Sequence, residues 1–154
     1  MNIFVLDTDP KLAAEAHCDK HVVKMCLETA QLLCSAFEPG QVPYRRTHYN
    51  HPCAVWTRSS IDNFAWLTRL GWALCDEYAF RYGRTHASRS VIDDCWSKRE
   101  TLGLPDVGLM PFALALPEKY REDDAVKAYR AYYLGEKRDI ARWTRGRMQP
   151  MWWK

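Results

Sequence analysis

PKLAAEAHCDKHVVKMCLETAQLLCSAF, residues 10–37, is the stretch whose reading decides the fold. At 100° per residue, His17, Lys20, His21, Lys24, Glu28 and Gln31 fall on one face of roughly 100°. Most of the remaining circumference is apolar: Leu12, Ala16, Cys18, Val22, Val23, Met25, Cys26, Leu27, Ala30, Leu33, Cys34 and Phe37. A helix apolar on so many sides belongs inside a protein. Its one polar stripe is either its window to water or the wall of a site. In the first case Lys24 and Glu28, one turn apart, are an ordinary surface pair. In the second, two histidines a turn apart supply proton shuttles, and a lysine crowded by them has the lowered basicity a nucleophile needs.

Asp9 caps this helix and Pro10 takes its first position. Ahead of it, Asn2–Leu6 reads as extended, one short strand at most. Glu38-Pro39-Gly40 stops the helix, and 38–51 is a loop holding Tyr44-Arg45-Arg46-Thr47-His48-Tyr49-Asn50-His51. Pro52 opens the next helical stretch, with a break at Ser59 or Ser60. Residues 61–82 form a long helix closed by Gly83. Ser88 or Ser90 caps a shorter helix to about Leu102. Pro105, Gly108, Pro111 and Pro117 make 103–122 a connection, and Asp123 or Asp124 caps a last helix reaching about Arg145. Gly146–Lys154 is an irregular tail. With no repeat or linker in view, residues 1–154 are expected to form a compact single all-α domain of four or five helices, behind a short extended N-terminal segment.

The net charge of +3 hides an asymmetry. Residues 125–154 carry eight Lys/Arg against Glu136 and Asp139, which leaves the rest of the chain acidic. That basic segment is interleaved with Tyr129, Tyr132, Tyr133, Trp143, Trp152 and Trp153, a pattern that fits a polyanion, nucleic acid first. Cations completing a helix C-terminus explain Arg142 and Arg145 nearly as well. Six cysteines show no C-x-x-C pair, and Cys18, Cys26 and Cys34 recur every eight residues on one helix, too far apart to bridge each other. Five of the six lie in apolar helical surroundings and read as small buried hydrophobes in a reducing compartment. With no signal peptide and no span-length apolar run, a cytoplasmic protein without membrane contact is expected.

Two further places carry chemistry. Thr47-His48-Tyr49-Asn50-His51-Pro52 puts His48, Asn50 and His51 directly before a helix start, where they either cap the helix or contact phosphate. On 61–82, Arg58, Asp62, Arg69 and Asp76 share a solvated face, and Glu77 with Arg81 reads as a buried ion pair or part of a site. Glu136 lies in an aromatic seam (Val126, Tyr129, Tyr133, Ile140, Trp143) and needs a partner, so it is a secondary candidate. His17 and His21 have i,i+4 metal-ligand spacing, with His48, His51 and Cys18 available to join. The glutamate of H-E-x-x-H is missing, however, and Lys20 and Lys24 repel a cation, so neither metal nor other cofactor is expected.

NIFVLDTDPKLAAEAHCDKHVVKMCLET (2–29), THYNHPCAVW (47–56), CDEYAFRYGRTH (75–86) and YRAYYLGEKRDIARWTRGRMQPMW (129–152) resemble small, mostly uncharacterised proteins of tailed bacteriophages. In order and spacing, Pro10–Glu28, Leu74–Gly83 and Arg142–Trp152 are also similar to the phage pyrimidine-dimer DNA glycosylase/AP-lyase family. That resemblance implies a compact helical domain that bends DNA and flips a base. The family's nucleophile is the α-amine of a small residue exposed by loss of the initiator Met. Here the bulky Asn2 follows, so Met1 is expected to remain. Lys24 stands nearest the place of the family's glutamate, with Glu28 one turn later, so an imine would need Lys20 or Lys24.

The expectation is a DNA glycosylase-like phage enzyme acting on a nucleobase or its N-glycosidic bond, in DNA or a nucleotide. Lys24, Glu28, His21, Lys20 and His17 would be catalytic. His48, Asn50, His51, Arg81, His86, Arg142, Arg145, Arg147 and Trp152 would hold nucleic acid or phosphate. The rivals are a transferase of DNA base hypermodification and a non-catalytic phage accessory protein binding nucleic acid or a host protein.

Overall fold

The long first helix breaks in two. In a computed structural model, which describes residues 1–154, α1 (Pro10–Ala16) and α2 (Asp19–Cys34) are separated by His17 and Cys18 in extended conformation. Asp9 accepts from the Lys11 and Leu12 amides to start α1, as its sequence position implies. The break is a tertiary effect. The Arg81 guanidinium donates to the carbonyls of Glu15 (2.9 Å) and His17 (2.7 Å) and to the Asp19 carboxylate (3.2 Å). It therefore satisfies the orphan acceptors ending one helix and the acid opening the next.

The remaining helices are α3 (Pro52–Thr57), α4 (Ile61–Tyr82), α5 (Ser88–Ser97) and α6 (Ala125–Glu136), and there is no strand. The fold is all-α, and the split of the first helix raises the count to six. Gly83 closes α4 in the left-handed region at φ 71°, and Ser60 caps its start through the Asn63 amide. α5 is capped by neither Ser88 nor Ser90. His86 Nδ1 accepts from the Ser88 amide, and the helix gives way to a 3-10 turn at Arg99–Leu102. α6 stops at Glu136, nine residues short of Arg145, because the chain beyond it bonds elsewhere. The Asp19 amide donates to the Arg142 carbonyl (2.8 Å) and the Trp143 indole to the Ala16 carbonyl (3.3 Å).

α4 lies against both α1 and α2, and α5 packs on α2 and α4. The N-terminal segment inserts into this core, with Ile3, Val5 and Leu6 fully buried. It is not a strand because its polar groups are satisfied singly. Asn2 Oδ1 accepts from the Ile3 and Phe4 amides, the Leu6 amide donates to Phe4, and Arg130 donates to the Leu6 carbonyl. Phe4 pays with a φ of 34°, an uncommon value for a residue with a bulky side chain. α6 closes the core through Tyr129 and Tyr133, both fully buried. All six cysteines are free and buried, with the Cys34 and Cys95 sulfurs 3.5 Å apart. No helix is long and apolar enough to cross a membrane.

Candidate functional site

The polar stripe divides by depth. His17 and His21 are buried. His17 Nδ1 bonds the Ala13 carbonyl (2.6 Å), and His21 Nδ1 pairs with the Tyr133 hydroxyl (2.5 Å) beneath the Phe4 ring. Burial lowers their pKa values from 6.5 to about 4 and about 3. At neutral pH both are uncharged core residues out of reach of a substrate, which corrects the catalytic role expected of them. Lys20 is exposed and stands outside the pocket that Lys24 and Glu28 line. Lys24 has 59% of its side chain exposed and is not buried beside the two histidines.

Lys24 and Glu28 nevertheless wall a pocket of about 320 Å³ with Met1, Asn2, Phe4, His51, Ala115, Tyr132 and Lys137. Five separate parts of the chain meet there: the N-terminus, α2, the first residue before α3, the 103–122 connection and the end of α6. The Asn2 amide fixes one wall by donating to the Ala115 carbonyl (2.8 Å). His51 caps α3, its Nδ1 accepting from the Cys53 amide (3.1 Å), which places the proton of the neutral ring on Nε2. Its pKa is lowered by burial, then by the N-terminal ammonium and His48, against an opposing pull from Glu28. His48 and His51 rings are 6.4 Å apart, with His48 and Asn50 exposed at the loop surface. Lys137 reaches over Tyr132, 4.7 Å from its ring centre.

Glu28 is the unusual group. Lys24 Nζ stands 3.4 Å from Oε1, while Oε2 is buried with no hydrogen-bond partner. A carboxylate oxygen shielded from water and lacking a donor costs free energy unless a ligand completes it. A larger cleft of about 610 Å³ between α1 and α4 has no comparable group. There Glu77 is paired with Arg147 and Asp76 with Arg89.

Several residues expected to grip phosphate are structural. Arg81 is buried between Glu77 and Asp19. Arg147 pairs with Glu77 and lies over Phe80, His86 caps α5, and Trp152 packs on Tyr133. Glu136 leaves the aromatic seam for the surface, where Lys119 meets it at 3.0 Å. Arg142 and Arg145 are exposed, without carboxylate partners, Arg145 resting on the Tyr82 ring (4.4 Å). Tyr132 and Lys137 escaped the sequence reading as site residues because their role depends on distant segments meeting. Only the basic, aromatic character of residues 125–154 pointed towards them. No three His, Cys, Asp or Glu side chains group as a metal site would need. Comparison with protein-family models, curated proteins and solved structures gives no match to this chain.

Proposed function

We propose that the protein is an enzyme acting on a nucleobase or its N-glycosidic bond, with the pocket around Glu28 as its active site. The observation that carries this reading is the unpartnered Glu28 oxygen in a pocket lined by three amine-bearing residues, Lys24, Lys137 and Met1, and a histidine. The pocket size suits one small ring system rather than an extended ligand. The Glu28 carboxylate stabilises the positive charge that builds at C1′ as the C1′–N bond breaks and its electron pair leaves with the base. Either water or one of the three amines bonds to C1′, and the proton it releases passes by way of His51 to the base. With an amine, sugar ring opening and loss of the amine proton leave an imine. His51 hands protons between the pocket and water.

Glu28→Gln should lower base release at least a hundredfold on a substrate the wild type processes, while binding persists. Borohydride should trap a protein–DNA adduct if an amine attacks. Lys24→Ala or Lys137→Ala abolishes trapping if that lysine is the nucleophile, and prior acetylation of the α-amine abolishes it if Met1 is. Base release without trapping assigns the attack to water. Full activity in Glu28→Gln would overturn the reading.

A further inference from the structure

We infer that the exposed face of α2 is a bed for a polynucleotide backbone that runs past the pocket, held by arginines at both ends. This rests on the pocket reading above and names its substrate as a polymer rather than a free nucleotide. Along α2, Lys20, Val23, Lys24 and Leu27 are exposed and Gln31 half-exposed. The helix has two carboxylates. Asp19 is buried and saturated by Arg81 and by Thr144, whose amide and hydroxyl both donate to it at 2.9 Å. Glu28 points into the pocket wall. The bed is therefore cationic, and its one available acid belongs to the site.

The bonds from Thr144 to Asp19, with that from the Asp19 amide to the Arg142 carbonyl, lash the tail to the first turn of α2. They set Arg142 and Arg145 at this end of the bed, exposed and free of acids. At the other end Leu27 and Gln31 share a cleft with Pro43, Tyr44, Arg45 and Thr47. Arg45 is exposed with no ion pair, and residues 39–61 contain no Asp or Glu. From Lys20 to Gln31 the helix rises about 16 Å, about five nucleotide steps of a B-form strand. Lys24 and Glu28 lie midway, so a backbone on the bed passes the pocket mouth. Nucleic acid fits better than a bilayer. α2 turns its broad apolar face to the core, whereas a membrane-surface helix presents that face to lipid. Of the four most exposed apolar side chains, Met148, Met151 and Phe80 line other clefts, and Val107 lies in the 103–122 connection.

The test is fluorescence anisotropy of a labelled DNA duplex with the full-length protein across a salt series. Lys20→Ala, Arg45→Ala and Arg145→Ala should each flatten the log–log salt slope by about 0.9. Lys11→Ala, an exposed cation in the α1–α4 cleft, should leave it unchanged. Glu28→Gln should bind at least as tightly as wild type. Equal slope losses for Lys11→Ala and Arg45→Ala would overturn the bed, as would no DNA binding at low salt. Anionic lipid vesicles bound as tightly, with the same variants affected, would also overturn it. The two readings fail separately: base release from DNA indifferent to Arg45→Ala sinks the bed and spares the pocket. DNA binding lost with Arg45, but no base release on any substrate, supports the bed and sinks the pocket chemistry.

Discussion

Burial holds His17 and His21 neutral, and this makes folding sensitive to acid. Their folded pKa values of about 4 and about 3 lie below the ordinary 6.5. Between those values the unfolded chain binds protons that the folded chain refuses, so stability rises with pH. Their contribution is fully present above about pH 6.5 and is lost as pH falls towards 4 and then 3. Each proton is worth about 1.4 kcal/mol per pH unit. Urea denaturation should show a midpoint that falls steadily from pH 7 to 4.5, and His17→Asn should flatten that dependence by about one proton. An unchanged slope in the variant would show that His17 titrates freely. At this scale the sequence identified the titratable stripe but not its depth. A helical wheel gives angles, and depth depends on Phe4 and Tyr133 closing over the two rings.

Helix α4 shows how far local signals reach. Its 22 residues begin after Ser60 and end at Gly83, the boundaries that capping chemistry and a left-handed C-terminal glycine imply. What they did not reveal is Gly71, a point of close approach among α4, α5 and α2. A Cβ there would lie 2.9 Å from both Ile92 Cδ1 on α5 and Thr29 Cγ2 on α2. Gly71→Ala gains about 1 kcal/mol of helix propensity, but overpacking costs about 1–3 kcal/mol. The variant should melt at a lower temperature than wild type. A raised melting temperature would mean that the three helices can separate at no cost. α6 is the opposite case, since its periodicity runs on past Glu136 while tertiary bonds from α1 and α2 capture the chain beyond.

Across the whole molecule, one buried guanidinium ties the parts together. Arg81 joins α4 to the end of α1 and the start of α2, and through Glu77 to Arg147 of the tail. Arg81→Met would leave Glu77 and Asp19 short of a cation and three acceptors without donors, a loss of about 3–5 kcal/mol. Arg147→Met should cost distinctly less, because solvent reaches that side chain and screens its pairs. Chemical denaturation of the two variants compares them directly. Equal, small losses would show that the helix break stands without Arg81. The helical class, most helix starts, the buried cysteines and the Glu77–Arg81 pairing were legible along the chain, because capping, periodicity and i,i+4 spacing are local. The break at His17–Cys18, the burial of the histidines and the pocket joining Met1, Glu28, His51 and Lys137 were decided by tertiary structure. Each requires segments far apart in sequence to share desolvated space, and no local spacing encodes which of them will meet.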